Sequence, residues 1–222
     1  MAFHLEKPNR FIFTPGQALD VTLTHTGEPD PEGNSRTLSI ASPPYADEIV
    51  VATRVRDTPF KRFLKNAQIG SSIKISDPSG SFTLHHNTTK PAVFLAGGIG
   101  VTPFVSILLQ ATRDKLPHEL YLFYSNRRPE DAAFLDDLLK AESQNPKFRM
   151  IPTMTQMAKS NREWKGETGP INKEILSRYV SRLQGPIYYV AGPPGLVTAM
   201  RRMLATAGVD EDDIRTEEFS GY

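Results

Sequence analysis

The segment Phe94-Leu95-Ala96-Gly97-Gly98-Ile99-Gly100-Val101-Thr102-Pro103-Phe104 decides the fold of the second half of the chain. Its first residues form an apolar run that reads as a buried strand, and glycines end the run. Thr102 suits a helix N-cap and Pro103 the first helical position. Such a turn gathers free backbone N–H groups at one point, and glycine lets an anion come close to them. Read alone, it serves a tight strand-to-helix connection equally well. Pro103 stands where the third glycine of the G-x-G-x-x-G fingerprint would be. A second turn of the same kind, Ala191-Gly192-Pro193-Pro194-Gly195, again separates a strand from a helix. Turns at the carboxyl ends of parallel strands share one sheet edge, the edge where open α/β folds take ligands. The pair therefore points to a dinucleotide site.

Outward from these turns, strands and helices alternate. Strands are predicted at 92–96, 120–124, 148–151, 187–191 and 214–219, and helices along 104–111, over 131–139 and 171–180, and through Leu196 to Leu204 with Gly208 as the stop. This alternation implies a parallel sheet covered on both faces. Before residue 86 the pattern changes to short alternating runs around Val21, Leu38 and Ile73, separated by turns such as Pro15-Gly16, Pro29-Asp30-Pro31 and Pro78-Ser79-Gly80. Many short strands at this spacing suggest an antiparallel barrel. The polar stretch from His85 to Lys90 makes the best junction. The expected organisation is an antiparallel β-barrel over 1–88 followed by a Rossmann-like α/β domain over 89–222.

A length of 222 residues suits two domains, and 39% hydrophobic with 23% charged residues supports buried cores rather than disorder. A net charge of +1 argues against a nucleic-acid partner. No apolar run reaches the roughly 20 residues of a membrane span. No leader-like segment opens the chain, so a cytoplasmic location is the expectation. The absence of cysteine excludes disulfides, Cys-bound zinc and Cys-bound iron–sulfur clusters within this sequence. Oligomeric state is not legible.

The second strand of the α/β half ends at Ser125-Asn126-Arg127-Arg128. NAD-binding Rossmann domains often place an acid in this region to hold the ribose 2′-OH, whereas arginine suits a 2′-phosphate. Glu130 and Asp131 follow closely, so a solvated loop of ion pairs is the competing reading.

Taken together, these motifs resemble the ferredoxin–NADP reductase superfamily along nearly the whole chain. The family's flavin-binding R-x-Y-S motif is matched by Arg36-Thr37-Leu38-Ser39, and its G-P-x-G-x-F-like motif by Asp77-Pro78-Ser79-Gly80-Ser81-Phe82. Its G-x-G-x-x-P turn is matched by Gly98 to Pro103, and its C-G-P turn by Ala191-Gly192-Pro193. The resemblance implies FAD and NAD(P)H as cofactors and hydride transfer between them. A redox partner such as ferredoxin or flavodoxin becomes plausible. It implies that Arg36 pairs with the FAD pyrophosphate, helped by backbone N–H groups of Phe60 and Lys61. Leu38 would lie against the isoalloxazine, Ser39 near flavin N5, and Thr102 between flavin and nicotinamide. Ser39, Thr102 and Phe219 would thus form the catalytic set, with Gly97, Gly98, Gly100, Val101, Pro103, Asn126, Arg127, Arg128, Gly192, Pro193 and Pro194 around the nucleotide. The aromatic covering the flavin would be Phe219 or, alternatively, Tyr222. Leu38 departs from the family's usual tyrosine and Ala191 from its cysteine.

Other candidates have plainer readings. Adjacent His85 and His86 point apart on a strand and lack a carboxylate cluster. Trp164 suits packing, Arg201-Arg202 a solvated helix face, and Asp210 to Asp213 a short acidic turn. Two rival functions stay open: an electron-transfer subunit of a larger enzyme, and a non-catalytic nucleotide-binding module.

Overall fold

The computed structural model describes residues 1–24, 27–54 and 56–219. The first half begins with β1 (Ala2–Glu6), β2 (Ala18–Thr22), β3 (Ser35–Ser39) and β4 (Glu48–Ala52), followed by helix α1 (Pro59–Asn66) and the short β5 (Lys74–Ile75). All pairings here are antiparallel, β1 with β4 and β3-β2-β5 in a second sheet. A bridge between Ile40 and Val51 joins the two sheets. Leu19, Val21, Leu38, Ile40, Ile49, Val51 and Phe60 form the core between them. Period-2 alternation made β2 and β3 legible. β4 escaped it, because Ile49-Val50-Val51-Ala52 is a continuous apolar run. Thr58 caps α1 by accepting the Lys61 N–H, and Pro59 supplies a preset first turn.

The second half continues with β6 (Ala92–Gly97), α2 (Thr102–Arg113), β7 (Leu120–Asn126), α3 (Leu135–Gln144), β8 (Phe148–Met154), β9 (Glu167–Thr168), α4 (Lys173–Tyr179), β10 (Ile187–Gly192), α5 (Pro194–Thr206) and β11 (Ile214–Glu218). Its sheet is parallel throughout, in the order β11-β10-β6-β7-β8-β9. α2 and α3 cover one face through Phe104, Leu108 and Leu138. α4 and α5 cover the other through Ile175, Leu176, Val197 and Leu204. β6 and β10 are buried at every position, as a sheet sandwiched between helices requires.

Three local expectations need correction. A 3-10 turn at Gly98–Val101 precedes α2, so Thr102 is the first helical residue rather than the cap, and its hydroxyl donates back to the Ile99 carbonyl at 3.0 Å. The helix expected over 131–139 starts later, at Leu135, after left-handed Phe134. The Tyr124 hydroxyl binds the Ala133 carbonyl, and Arg128 binds the Asp131 carboxylate, so both are spent on non-helical contacts. α4 spans 173–179, narrower than 171–180, because the Asn172 side chain caps it by accepting the Ile175 N–H.

The polar junction is not a loose linker. Phe82 and Leu84 pack against the α/β core. The His85 backbone N–H donates to the Tyr189 hydroxyl at 2.8 Å, and Lys90 pairs with Asp213 at 2.7 Å. Ser106 on α2 donates to the Ser42 carbonyl at 2.8 Å in a buried contact, which fixes α2 against the strand end that carries Ser39.

Candidate nucleotide and flavin site

Strand order reverses between β6 and β10, and both glycine turns stand at the carboxyl ends of these neighbouring strands. The turns interlock. A Cβ on Gly100 would lie 2.5 Å from the Ala191 carbonyl oxygen, and Gly192 would crowd the Gly97 backbone at 3.2 Å. The glycines therefore serve backbone-to-backbone packing, and that packing sets the helix N-termini of α2 and α5 side by side. Gly100→Ala is expected to destabilise the fold by about 2–3 kcal/mol through overpacking. Urea unfolding measures it, and an unchanged midpoint would contradict the interlock.

Gly98 adopts φ +54°, and the guanidinium of Arg54 fills the space a side chain would take, 2.9 Å from its Cβ position. Arg54 follows β4, so the first half of the chain contributes a cation directly over the glycine turn. Nothing local distinguishes Arg54 from the neighbouring Arg56, because the glycine turn it covers lies more than forty residues further along the chain. Thr102, Val101 and Pro103 are buried beneath this turn.

At the end of β7, Asn126 is buried, and neither of its amide atoms makes a hydrogen bond of good geometry among the described residues. The adjacent arginines separate. Arg128 makes a two-pronged pair with Asp131 at 2.9 Å and lies 3.8 Å from Glu130. Arg127 is exposed and carries no ion pair among the described residues. The competing solvated-loop reading thus describes Arg128 and leaves Arg127 available to an incoming anion.

β11 carries Phe219 to the same edge. Its N–H donates to the Gly192 carbonyl at 3.0 Å, and its ring joins the core with Val101, Phe104 and Ala191. Tyr222 lies outside the described residues. Two positions earlier, Glu217 sits beside Ala191 in the parallel register. Burial pushes its carboxyl up to about 7, and its Oε2 has no partner among the described residues. The sequence offered only a run of tail residues there, with nothing to mark this carboxylate as buried.

On the barrel side, β3 turns Arg36 and Leu38 toward Val21 and Leu19, and Thr37 and Ser39 toward Asp20 and Ala18. Leu38 is 5% exposed and packs within the barrel core, so the surface expected to meet a flavin ring is covered by the chain itself. Thr37 is spent on Asp20. Ser39 is buried, and its hydroxyl has no partner among the described residues. Arg36 stacks 4.9 Å from the Phe60 ring centroid. Burial, then the nearby Arg56, hold the Lys61 ammonium below its ordinary value. Arg36 and the Phe60 N–H, expected at a pyrophosphate, come together, whereas the Lys61 N–H expected with them donates to the Thr58 hydroxyl at 3.3 Å. Asp30 stands among them: its carboxylate accepts the Phe60 N–H at 2.9 Å and Arg36 at 2.8 Å. The donor set fits an anion, since it already holds one, and the orphaned hydroxyl of Ser39 fits a polar ring edge.

Residues 94–202 match the oxidoreductase NAD-binding domain. The chain is 30% identical over 186 residues to a component of the Na(+)-translocating NADH-quinone reductase of Methylococcus capsulatus, covering 82% of this chain and 44% of that one. It is 28% identical over 221 residues to the glycine betaine monooxygenase reductase component of Chromohalobacter salexigens, covering 98% and 59%. The chain thus spans about half the length of these curated relatives. Its fold matches a ferredoxin NADP+ reductase of Neisseria gonorrhoeae, solved with FAD and NADP, at a TM-score of 0.78 and 22% identity over 98% of this chain and 91% of that one. Among the described residues no helix is long and apolar enough to cross a membrane. With its glycine turns at the strand-order reversal, and with antiparallel sheets followed by a six-stranded parallel sheet, the chain has the two-domain fold of that ferredoxin NADP+ reductase and is similar in sequence to these reductase components.

Proposed function

We propose that the chain is an FAD-dependent oxidoreductase that moves hydride between NAD(P)H and flavin and exchanges electrons with a partner protein. The observation that carries this reading is the meeting, at one sheet edge, of two interlocked glycine turns with Arg54, Phe219 and the exposed Arg127. Flavin, when bound, supplies hydride acceptance and single-electron release. The chain supplies binding and orientation. Gly97, Gly98, Gly100, Gly192, Pro193 and Pro194 shape the nucleotide-phosphate edge, and Arg54 adds a cation there. Arg36, Lys61 and the Phe60 N–H take the flavin pyrophosphate. Ser39 offers its unpartnered hydroxyl to the ring, Thr102 closes the floor, and Phe219 excludes water from the ring's far side.

The purified chain is expected to carry FAD rather than FMN, because the cradle assembles donors for a pyrophosphate and FMN has a single phosphate. Mass spectrometry of released flavin decides between them, and FMN as the sole flavin would overturn the assignment. A protein that is folded, colourless and unable to bind any flavin would favour the nucleotide-binding module instead. A second reading, the reductase component of a multicomponent enzyme, draws on the relatives' names and greater length. NAD(P)H oxidation that runs with an artificial one-electron acceptor, yet needs an oxygenase or ferredoxin for physiological turnover, would support it.

A further inference from the structure

We propose that Asp30 is a built-in competitor for the flavin phosphate, holding the cradle in the cofactor-free chain until a dinucleotide displaces it. The inference rests on the proposed flavin site and concerns how that site loads. Asp30 lies in the turn material after Pro29, where charge has no need to be buried, yet its side chain is only 1% exposed. One carboxylate oxygen accepts Arg36 at 2.8 Å and the Glu32 N–H at 2.9 Å, and the other accepts the Phe60 N–H at 2.9 Å. An anion bridging a guanidinium and a backbone N–H in the first turn of α1 makes the contacts of a phosphate oxygen.

The rest of the loop tightens the same lock. Arg36 Nη1 donates to the carbonyls of Glu32, Gly33 and Ser35 at 2.7–3.1 Å, and its Nε pairs with the Glu32 carboxylate at 3.1 Å. Every nitrogen of the guanidinium therefore has an acceptor between residues 30 and 35, and a phosphate gains it only by taking it from the loop. The loop sets the carboxylates of Asp30 and Glu32 against Arg36, and a pyrophosphate brings two negative charges of its own to Arg36, Lys61 and Arg56 clustered nearby. Dinucleotide and loop thus compete for the same cations, and the observed affinity is the intrinsic one multiplied by the fraction of chain in which the loop is open.

Flavin-stripped full-length chain is titrated with FAD and with riboflavin, which has no phosphate, following quenching of flavin fluorescence. Asp30→Asn keeps the size and one acceptor but removes the charge. It is expected to tighten FAD at least tenfold and leave riboflavin within twofold. In the parent, FAD should raise hydrogen exchange across residues 30–35 while protecting residues 59–66. Weaker FAD binding in Asp30→Asn would make Asp30 a scaffold for Arg36 and overturn the proposal. Equal tightening of riboflavin would also overturn it, by making the loop a steric cover. Parent and variant that are folded but bind no flavin would overturn the flavin site itself, and this inference with it. FAD binding unchanged by the substitution would sink the inference alone.

Discussion

Arg127→Ala is expected to lower kcat/KM for NADPH by about tenfold to a hundredfold while leaving NADH within about twofold, the range for losing a charge-assisted bond to a phosphate. Arg128→Ala should change the two nicotinamides by similar, smaller factors. The two guanidiniums are adjacent in sequence and differ in what they already hold. Arg128 sits in a two-pronged pair with Asp131, and the two partners hold each other charged: Arg128 is pushed above its ordinary value and Asp131 held below its own, chiefly by the hydrogen bonds between them. A phosphate would have to break that pair to recruit it. Arg127 is exposed at the end of β7, with no ion pair to surrender among the described residues. Steady-state rates of both variants with both nicotinamides make the test. If the parent uses only NADH, or if Arg128→Ala alone is selective for NADPH, the assignment of Arg127 fails.

The same contrast shows what the sequence could and could not reveal. The glycine turns were legible because the chemistry that marks them is local: a buried strand, then residues with little or no side chain, then a helix start. The sheet was legible because sandwiched strands are continuous apolar runs between amphipathic helices. β1 and β4 were harder, since their partners lie more than forty residues away and β4 lacks alternation. Arg36 lies against Phe60, but its saturation by residues 30–35 depends on how one loop closes. Which of two adjacent arginines is free depends on a side-chain pairing three residues on. Asp30 was read as turn material, which the Pro-Asp-Pro spacing justifies, and nothing local shows that the turn folds inward onto α1. Arg54 and Glu217 were passed over for the same reason: each acts across a seam between segments far apart in the chain.

Glu217→Gln is expected to stabilise the protein above pH 7 and to have little effect below pH 5. The carboxyl is raised by burial from 4.5 to about 7 in the folded chain. A raised acid binds its proton more tightly folded than unfolded, so its favourable contribution is full below the unfolded value and disappears as pH rises through the folded one. Between those values the parent loses stability that a glutamine, which never ionises, keeps. A shift of this size bounds the difference at about 3 kcal/mol near pH 8, or about 5–10 °C in Tm for a chain of this length. Thermal melts of parent and variant at pH 5 and pH 8 measure it, and a gap that does not widen with pH would remove the buried charge as its cause. The position gives the shift a functional edge. Glu217 pairs with Ala191 at the carboxyl end of the sheet, two residues before Phe219. A carboxyl raised by burial to about 7 changes the charge facing the nucleotide edge as pH passes through neutrality. The variant should therefore flatten the pH dependence of KM for NAD(P)H over pH 6–8 as well as that of Tm. A flattened Tm profile with an unaltered KM profile would confine Glu217 to stability.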